Sequence, residues 1–353
     1  MDIRKLVRPN IRSLRAYHAK EIPCLVKLDA NESPYGFRAL KSVETNRYPD
    51  PQAKSLREVI AKDCKVKPEN ILCGNGSDEL IYYLATTFGG PVLYPVPTFS
   101  MYGIISQALN QKKIEIPLDG NFDLDIEKML QAIKRYRPKL VFLSSPNNPT
   151  GNRFSTDRIL KIIEATSFHV QRRGERPFAP TYAIVIVDEA YQPFSGKNEF
   201  LPLLGKFKNL VIMRTLSKIG LAGLRLGYLT ANNEIIGHVN RVRLPFNVNS
   251  LSQAVAIEAL QNKKQLRSNI ASVISERKRL FNAMKKIGAV TPYPSDANFI
   301  LFKVMQADSI YSSLLEKGVL VRNLSEVIDG CLRVTVGTPG ENDLFLKALK
   351  QVL

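Results

Sequence analysis

Leu210-Val-Ile-Met-Arg-Thr-Leu-Ser-Lys218-Ile-Gly-Leu-Ala-Gly-Leu-Arg225-Leu-Gly-Tyr228 is the stretch on which the reading of this chain turns. Its first four residues form a continuous apolar run, the pattern of a buried strand. Two hydroxyls follow, Thr215 and Ser217, then one lysine, a glycine-broken turn, and an arginine seven residues past the lysine. That order suits a reactive amine held beside an anion. Lys218 is accordingly read as the residue that forms a Schiff base with an aldehyde cofactor carrying a phosphate. A Ser-Lys pair in a loop is by itself a common, solvated feature, so the reading depends on what stands after the other strands.

The other apolar runs end in the same way. Ile71-Leu-Cys73 runs into Gly74-Asn-Gly-Ser77, and Leu140-Val-Phe-Leu143 into Ser144-Ser-Pro-Asn-Asn148-Pro-Thr-Gly151. Ile184-Val-Ile-Val187 runs into Asp188-Glu-Ala-Tyr191, and Pro91-Val-Leu-Tyr94 is a further short strand. Helical periodicity separates them: residues 52–62 carry Leu56, Val59 and Ile60 on one face, a helix begins at Ser77 as its N-cap, and another begins near Ser155 and Thr156. Apolar strands alternating with helices predict an α/β fold, a mostly parallel sheet covered on both faces in three layers. Ligands of such sheets bind at the carboxyl ends of the strands, where every polar cluster just quoted stands.

The ends of the chain read differently. Residues 1–40 form a proline-punctuated arm whose strand-like piece is Leu25-Val-Lys-Leu28. Residues 41–245 form the large domain. Residues 246–353 form a smaller α+β domain, with helices at 250–259, 263–286 and 308–317 and strands at 298–302, 319–321 and 331–336. The arm is expected to pack with that smaller domain.

The residues after the strands fit one cofactor. Asp188 suits a pyridinium nitrogen, whose proton it would keep so that the ring acts as an electron sink; taken alone it also reads as a helix cap. Tyr191 and Asn148 suit hydrogen bonds to the ring's phenolic oxygen, although Asn before Pro also makes ordinary turns. Gly76, Ser77 and Asp78 open a helix whose free N–H groups and dipole favour phosphate. Thr215, Ser217 and Arg225 complete that clamp, and Tyr102 suits stacking on the ring face. Glu79 stands where both G-x-G-x-x-G and G-x-S-x-G require glycine, which excludes a dinucleotide fingerprint and a nucleophile elbow here.

Composition sets the outer limits. The 353 residues, 44% hydrophobic and 23% charged, describe a globular protein rather than a disordered one. Met1-Asp-Ile-Arg-Lys-Leu6 lacks the apolar core of a signal peptide, and a cytoplasmic location is expected. Four scattered cysteines (Cys24, Cys64, Cys73, Cys331) and three histidines point to free thiols and to no metal site. The net charge of +18 admits nucleic-acid binding or a positive field that draws in anionic substrates. The basic residues are spread along the chain, and only Gln171-Arg-Arg-Gly-Glu-Arg176 is dense, which favours the second.

As an ordered set, Ser145-Pro-Asn-Asn-Pro-Thr-Gly151, Asp188-Glu-Ala-Tyr191 and Thr215-Leu-Ser-Lys218 resemble the fold-type I pyridoxal-phosphate-dependent aminotransferases, over nearly the whole chain. Leu28-Asp-Ala-Asn-Glu-Ser-Pro-Tyr-Gly36, Arg47-Tyr-Pro-Asp-Pro51, Gly74-Asn-Gly-Ser-Asp-Glu79, Pro97-Thr-Phe-Ser-Met-Tyr102 and Cys331-Leu-Arg-Val-Thr-Val-Gly-Thr338 are most similar to the histidinol-phosphate branch of that family.

The resemblance implies ping-pong transfer of an amino group between histidinol phosphate and the glutamate/2-oxoglutarate pair, with Lys218 as general base and acid. It also implies a homodimer in which Tyr48 reaches the neighbouring subunit's cofactor phosphate. Arg333 and Arg322 would hold the substrate's acidic tail, with Tyr17 and Asn148 contacting substrate. Phe99 stands where a tyrosine is common, and residues 167–182 form a longer connection than usual. Threonine-phosphate decarboxylases and broad aromatic aminotransferases share the pattern and are the nearest alternatives.

Overall fold

The computed structural model describes residues 24–29, 31, 33–35, 48–167 and 182–353. The arm contributes one short strand, β1 (Val26–Lys27). The central sheet then collects β2 (Ile71–Asn75), β3 (Val92–Val96), β4 (Lys113–Pro117), β5 (Leu140–Ser144), β6 (Ile184–Asp188), β7 (Leu210–Thr215) and β8 (Leu226–Ala231). Their spatial order is β2-β8-β7-β6-β5-β3-β4. From β7 through β4 every pairing is parallel, while β8 runs antiparallel to both β7 and β2.

Burial explains why these runs become central strands. Every residue of β5 is buried, as are the last four of β6. Removing a Leu, Ile or Val side chain from water stabilises by roughly 1.5–3 kcal/mol, so an all-apolar run gains most where both faces are covered. Helices Lys54–Cys64, Ser77–Phe88, Ile126–Tyr136 and Thr156–Ala165 provide that cover, each burying one stripe.

The first of these starts two residues later than the periodicity suggests. The second begins with Ser77 as its first helical residue; Gly76, at φ 84°, occupies the N-cap position assigned to Ser77. A left-handed backbone there is open to glycine and strained for serine.

A second, antiparallel sheet holds β9 (Thr291–Pro292), β10 (Phe299–Lys303), β12 (Arg322–Asn323) and β13 (Cys331–Thr335) in the order β12-β13-β10-β9. β11 (Val319–Leu320) pairs instead with β1 of the arm, in parallel. Through this pairing Val26 and Lys27 of the arm lie against Val319 and Leu320. Helices Lys263–Lys285, Ala307–Glu316 and Pro339–Val352 pack around this sheet. Among the described residues no helix is long and apolar enough to cross a membrane. All four cysteines are free thiols, three of them buried.

Candidate active site

Register brings the polar clusters together. Ser144, Asp188 and Thr215 are the last residues of the neighbouring strands β5, β6 and β7, and Ser144 lies opposite Asp188. The loops that follow therefore leave one edge of the sheet side by side. They carry Asn148, Tyr191, Ser217 and Lys218. Because β8 is antiparallel, its beginning lies at the same edge: Leu226 pairs with Asn75 and Gly227 with Thr215. Arg225, immediately before β8, consequently arrives beside the start of helix Ser77–Phe88. The chain approaches closely there. A Cβ on Gly227 would lie 2.8 Å from the Ser77 amide nitrogen, so no side chain fits.

Among the described residues no side chain caps the first N–H groups at that helix start. The Arg225 guanidinium lies over Gly76 and pairs with Asp78 at 3.2 Å, both side chains being about half exposed. Thr215 Oγ1 donates to Ser217 Oγ at 3.0 Å and accepts from the Ser217 amide at 3.2 Å. Uncapped amides, one arginine and two hydroxyls make a cradle for a dianion.

Asp188 is buried at 3% exposure. It accepts hydrogen bonds from Tyr102 Oη at 2.5 Å and from the Ala190 amide at 3.0 Å. Burial pushes its carboxyl up to about 6 from the usual 3.8, partly offset by those two donors. A buried carboxylate held in this way gains most from a cationic donor, and a pyridinium N–H is one. The phosphate cradle and this acid both fit pyridoxal phosphate.

Tyr102 departs from its expected role. It is fully buried, stacked on Phe142 with ring centroids 4.7 Å apart, and its hydroxyl is taken by Asp188. A phenol at this depth satisfies its oxygen with the nearest carboxylate and its ring with the nearest aromatic. In this structure no exposed face is left to stack on a cofactor.

Tyr191 is buried, with Lys218 Nζ 6.0 Å from its ring centroid. Its edge meets Phe299 at 5.1 Å, and the Arg333 guanidinium lies 4.9 Å over that same Phe299 ring. Arg333 donates through Nη1 to Asn148 Oδ1 and through Nη2 to the Asp29 carbonyl at 3.0 Å. A continuous line of contacts therefore joins Lys218, Tyr191, Phe299, Arg333 and Asn148. Arg322 faces Arg333 across the β12–β13 ladder and is exposed. Tyr48 is 82% exposed and stacks on Phe246 at 4.7 Å. Tyr17 lies outside the described residues, as do residues 168–181 of the long connection.

Two further parts of the site had no role assigned from sequence. Asn31, inside the quoted Leu28–Gly36 stretch, donates to the Tyr191 hydroxyl at 3.2 Å. Its signal was the turn-prone Asn-Glu-Ser-Pro segment itself. Glu189, next to Asp188, forms a buried ion pair with Arg214 at 2.6 Å and ties the end of β6 to β7. An acid beside one strand end and an arginine in the next strand are visible in sequence, but only the parallel register pairs them. Asn147, by contrast, is a loop anchor: it bonds Thr98, Thr150 and the Pro97 carbonyl.

The model of the family described as aminotransferase class I and II matches residues 16–349. The histidinol-phosphate aminotransferase of Caldanaerobacter subterraneus subsp. tengcongensis is 41% identical over 99% of both chains. That of Aquifex aeolicus is 42% identical over 98% of both. The structure of a histidinol-phosphate aminotransferase from Sinorhizobium meliloti, in complex with pyridoxal-5'-phosphate, superposes with a TM-score of 0.83, covering 98% of this chain and 97% of the other at 23% identity. That likeness shows the shared fold. On its sequence, its sheet and the order of its strand-end clusters, the chain belongs to the class I and II aminotransferase family.

Proposed function

We propose that this aminotransferase carries pyridoxal phosphate on Lys218 and moves an amino group between L-histidinol phosphate and 2-oxoglutarate. The products are imidazole-acetol phosphate and glutamate, in histidine biosynthesis. The observation that carries the reading is the meeting of Arg333 with Asn148, which sets an anion-reading arginine against the cofactor-side loop of β5. The full-length relatives bear the name of that reaction.

When bound, pyridoxal phosphate supplies an electron sink that stabilises negative charge at the substrate's α-carbon. The residues divide the remaining work. Gly76, Ser77 and Asp78 at the helix start, with Thr215, Ser217 and Arg225, hold the phosphate. Asp188 keeps its carboxylate on the ring nitrogen, and the Tyr102 hydroxyl orients that carboxylate. Tyr191 and Asn148 would hold the phenolic oxygen. Lys218 Nζ, half-buried next to Tyr191, would serve as the base and acid that moves the proton of the substrate's α-carbon.

Arg333, with Arg322 opposite, receives the phosphate of one substrate and the distal carboxylate of the other, because a guanidinium fork suits either anion. Residues 41–245 act as the cofactor-binding domain. Residues 246–353, with the arm and its Tyr17, act as the substrate-closing side. The protein works as a cytoplasmic homodimer in which the exposed Tyr48 is covered by, and serves, the partner's phosphate site.

A substrate panel tests this reading, with glutamate and 2-oxoglutarate as the exchange pair. Histidinol phosphate should be turned over far better than phenylalanine, and threonine phosphate should release no carbon dioxide. Turnover of phenylalanine without histidinol phosphate, or carbon dioxide from threonine phosphate, would overturn the substrate assignment.

A further inference from the structure

We propose that Asn31 of the arm is a positioning residue that fixes the direction of the hydrogen bond at Tyr191, so that the Tyr191 hydroxyl must donate into the cofactor site. The proposal rests on the reading of Tyr191 given above. Asn31 is 2% exposed and sits in the left-handed region at φ 53°, which asparagine tolerates better than most residues. Its backbone is held from both sides. The Asn31 amide donates to Thr335 Oγ1 at 3.0 Å, and Asn298 Nδ2 donates to the Asn31 carbonyl at 2.9 Å. Its side chain is held as well: Thr335 Oγ1 donates to Asn31 Oδ1 at 3.0 Å, and Asn31 Nδ2 donates to Tyr191 Oη at 3.2 Å.

This network decides which end of the amide faces the tyrosine. Reversing it would take the acceptor away from the buried Thr335 hydroxyl and set a donor against that donor. With Nδ2 towards Tyr191, the phenol oxygen is already an acceptor. Its single proton is left to donate elsewhere, on a ring that has Lys218 Nζ 6.0 Å from its centroid.

The same arm segment also reaches Arg333, through the Asp29 carbonyl, and the Thr335 amide, through the Leu28 carbonyl at 3.0 Å. The arm therefore connects the substrate-side arginine with the cofactor-side phenol. Charged groups around Tyr191 include Lys218 over its ring, Arg333 across Phe299, and Asp188 and Glu189 just before it in the chain.

The consequence is electronic as well as geometric. A proton donated to the ring oxygen stabilises its negative charge and lowers its hold on the proton of the adjoining lysine nitrogen. Loss of that donation should raise the pH midpoint of the loaded enzyme's visible absorbance change.

The test titrates that absorbance in the cofactor-loaded full chain. Tyr191→Phe should raise the midpoint by about one to two pH units, the worth of one hydrogen bond to a charged group. Asn31→Gly keeps the positive φ and the backbone bonds, and should give a smaller rise that disappears in the Tyr191→Phe background. Asn31→Asp turns the donor into an acceptor of the Tyr191 proton. Its rise in the wild-type background should exceed its rise in the Tyr191→Phe background by about the Tyr191→Phe increment. Equal shifts in both backgrounds, or none, with Tyr191→Phe still effective would reduce Asn31 to a structural tie and overturn the proposal. No shift on Tyr191→Phe would sink the reading of Tyr191 and the proposal with it.

Discussion

The two sides of the site are built from different material. On one side, Asp188 ends one of three neighbouring parallel strands, Asn148 and Lys218 lie in the loops that follow the other two, and ladder register sets those strand ends side by side. On the other side, Arg333 lies on a short antiparallel sheet and reaches the first side by contacts between distant parts of the chain. Its bond to Asn148 spans 185 residues, and the Asn31–Thr335 bond that braces the arm spans 304. On the proposed reading, chemistry common to all substrates rests on the ladder, whereas selection of the anion rests on contacts between distant parts of the chain.

Substitutions on the ladder side should therefore abolish the reaction, and substitutions on the other side should alter binding while leaving cofactor chemistry intact. Lys218→Ala should lower transamination by about four orders of magnitude and remove the visible absorbance of the loaded enzyme, measured by steady-state kinetics and spectroscopy. Arg333→Ala should lower kcat/KM for both substrates by roughly 100- to 1000-fold, with cofactor affinity unchanged in an equilibrium titration. Equal loss of cofactor would erase the distinction between the two sides.

Asp188 sharpens the comparison through pH. Burial raises its folded-state pKa from 3.8 to about 6 in the absence of cofactor, so the protonated acid favours folding. That contribution is present below pH 3.8 and is lost as pH rises through about 6. At neutral pH the apoenzyme then carries a penalty of roughly 3 kcal/mol. Apo Asp188→Asn should accordingly be more stable than wild-type apoenzyme by up to about that amount at pH 8, with the gap closing near pH 4, in denaturant unfolding. The loaded enzymes should show the opposite order, because only the carboxylate holds a protonated ring nitrogen. Arg322→Ala has the smallest expected effect. An exposed arginine on an edge strand should change KM by no more than about fivefold.

The same division explains what could be read from sequence. Apolar runs that end in polar or ionisable residues, such as Val187 before Asp188 or Met213 before the Thr215–Lys218 turn, carry their position in local order. The parallel sheet and its catalytic edge follow from that order without knowledge of any distant contact. Leu226-Gly-Tyr-Leu-Thr-Ala231 carries no strand expectation in the sequence reading, yet it forms the fully buried β8. Its antiparallel entry is what returns Arg225 to the helix start.

Tyr102 was read as a stacking ring because aromatic type alone does not say which neighbour claims the hydroxyl; burial beside Asp188 decides it. Asn31 had no local pattern beyond a turn, since its partners, Tyr191, Asn298 and Thr335, lie 160 or more residues away. The Glu189–Arg214 pair was hidden for the same reason, being a product of register between β6 and β7.

The most direct measurement of the central claim is to reduce the loaded enzyme with borohydride, digest it, and locate the cofactor mass by peptide mass spectrometry. The tag should fall on Lys218 alone, in the peptide that follows Arg214. A tag on any other lysine, or full transamination by an enzyme that takes up no tag, would contradict the assignment of the strand-end lysine as the reactive centre.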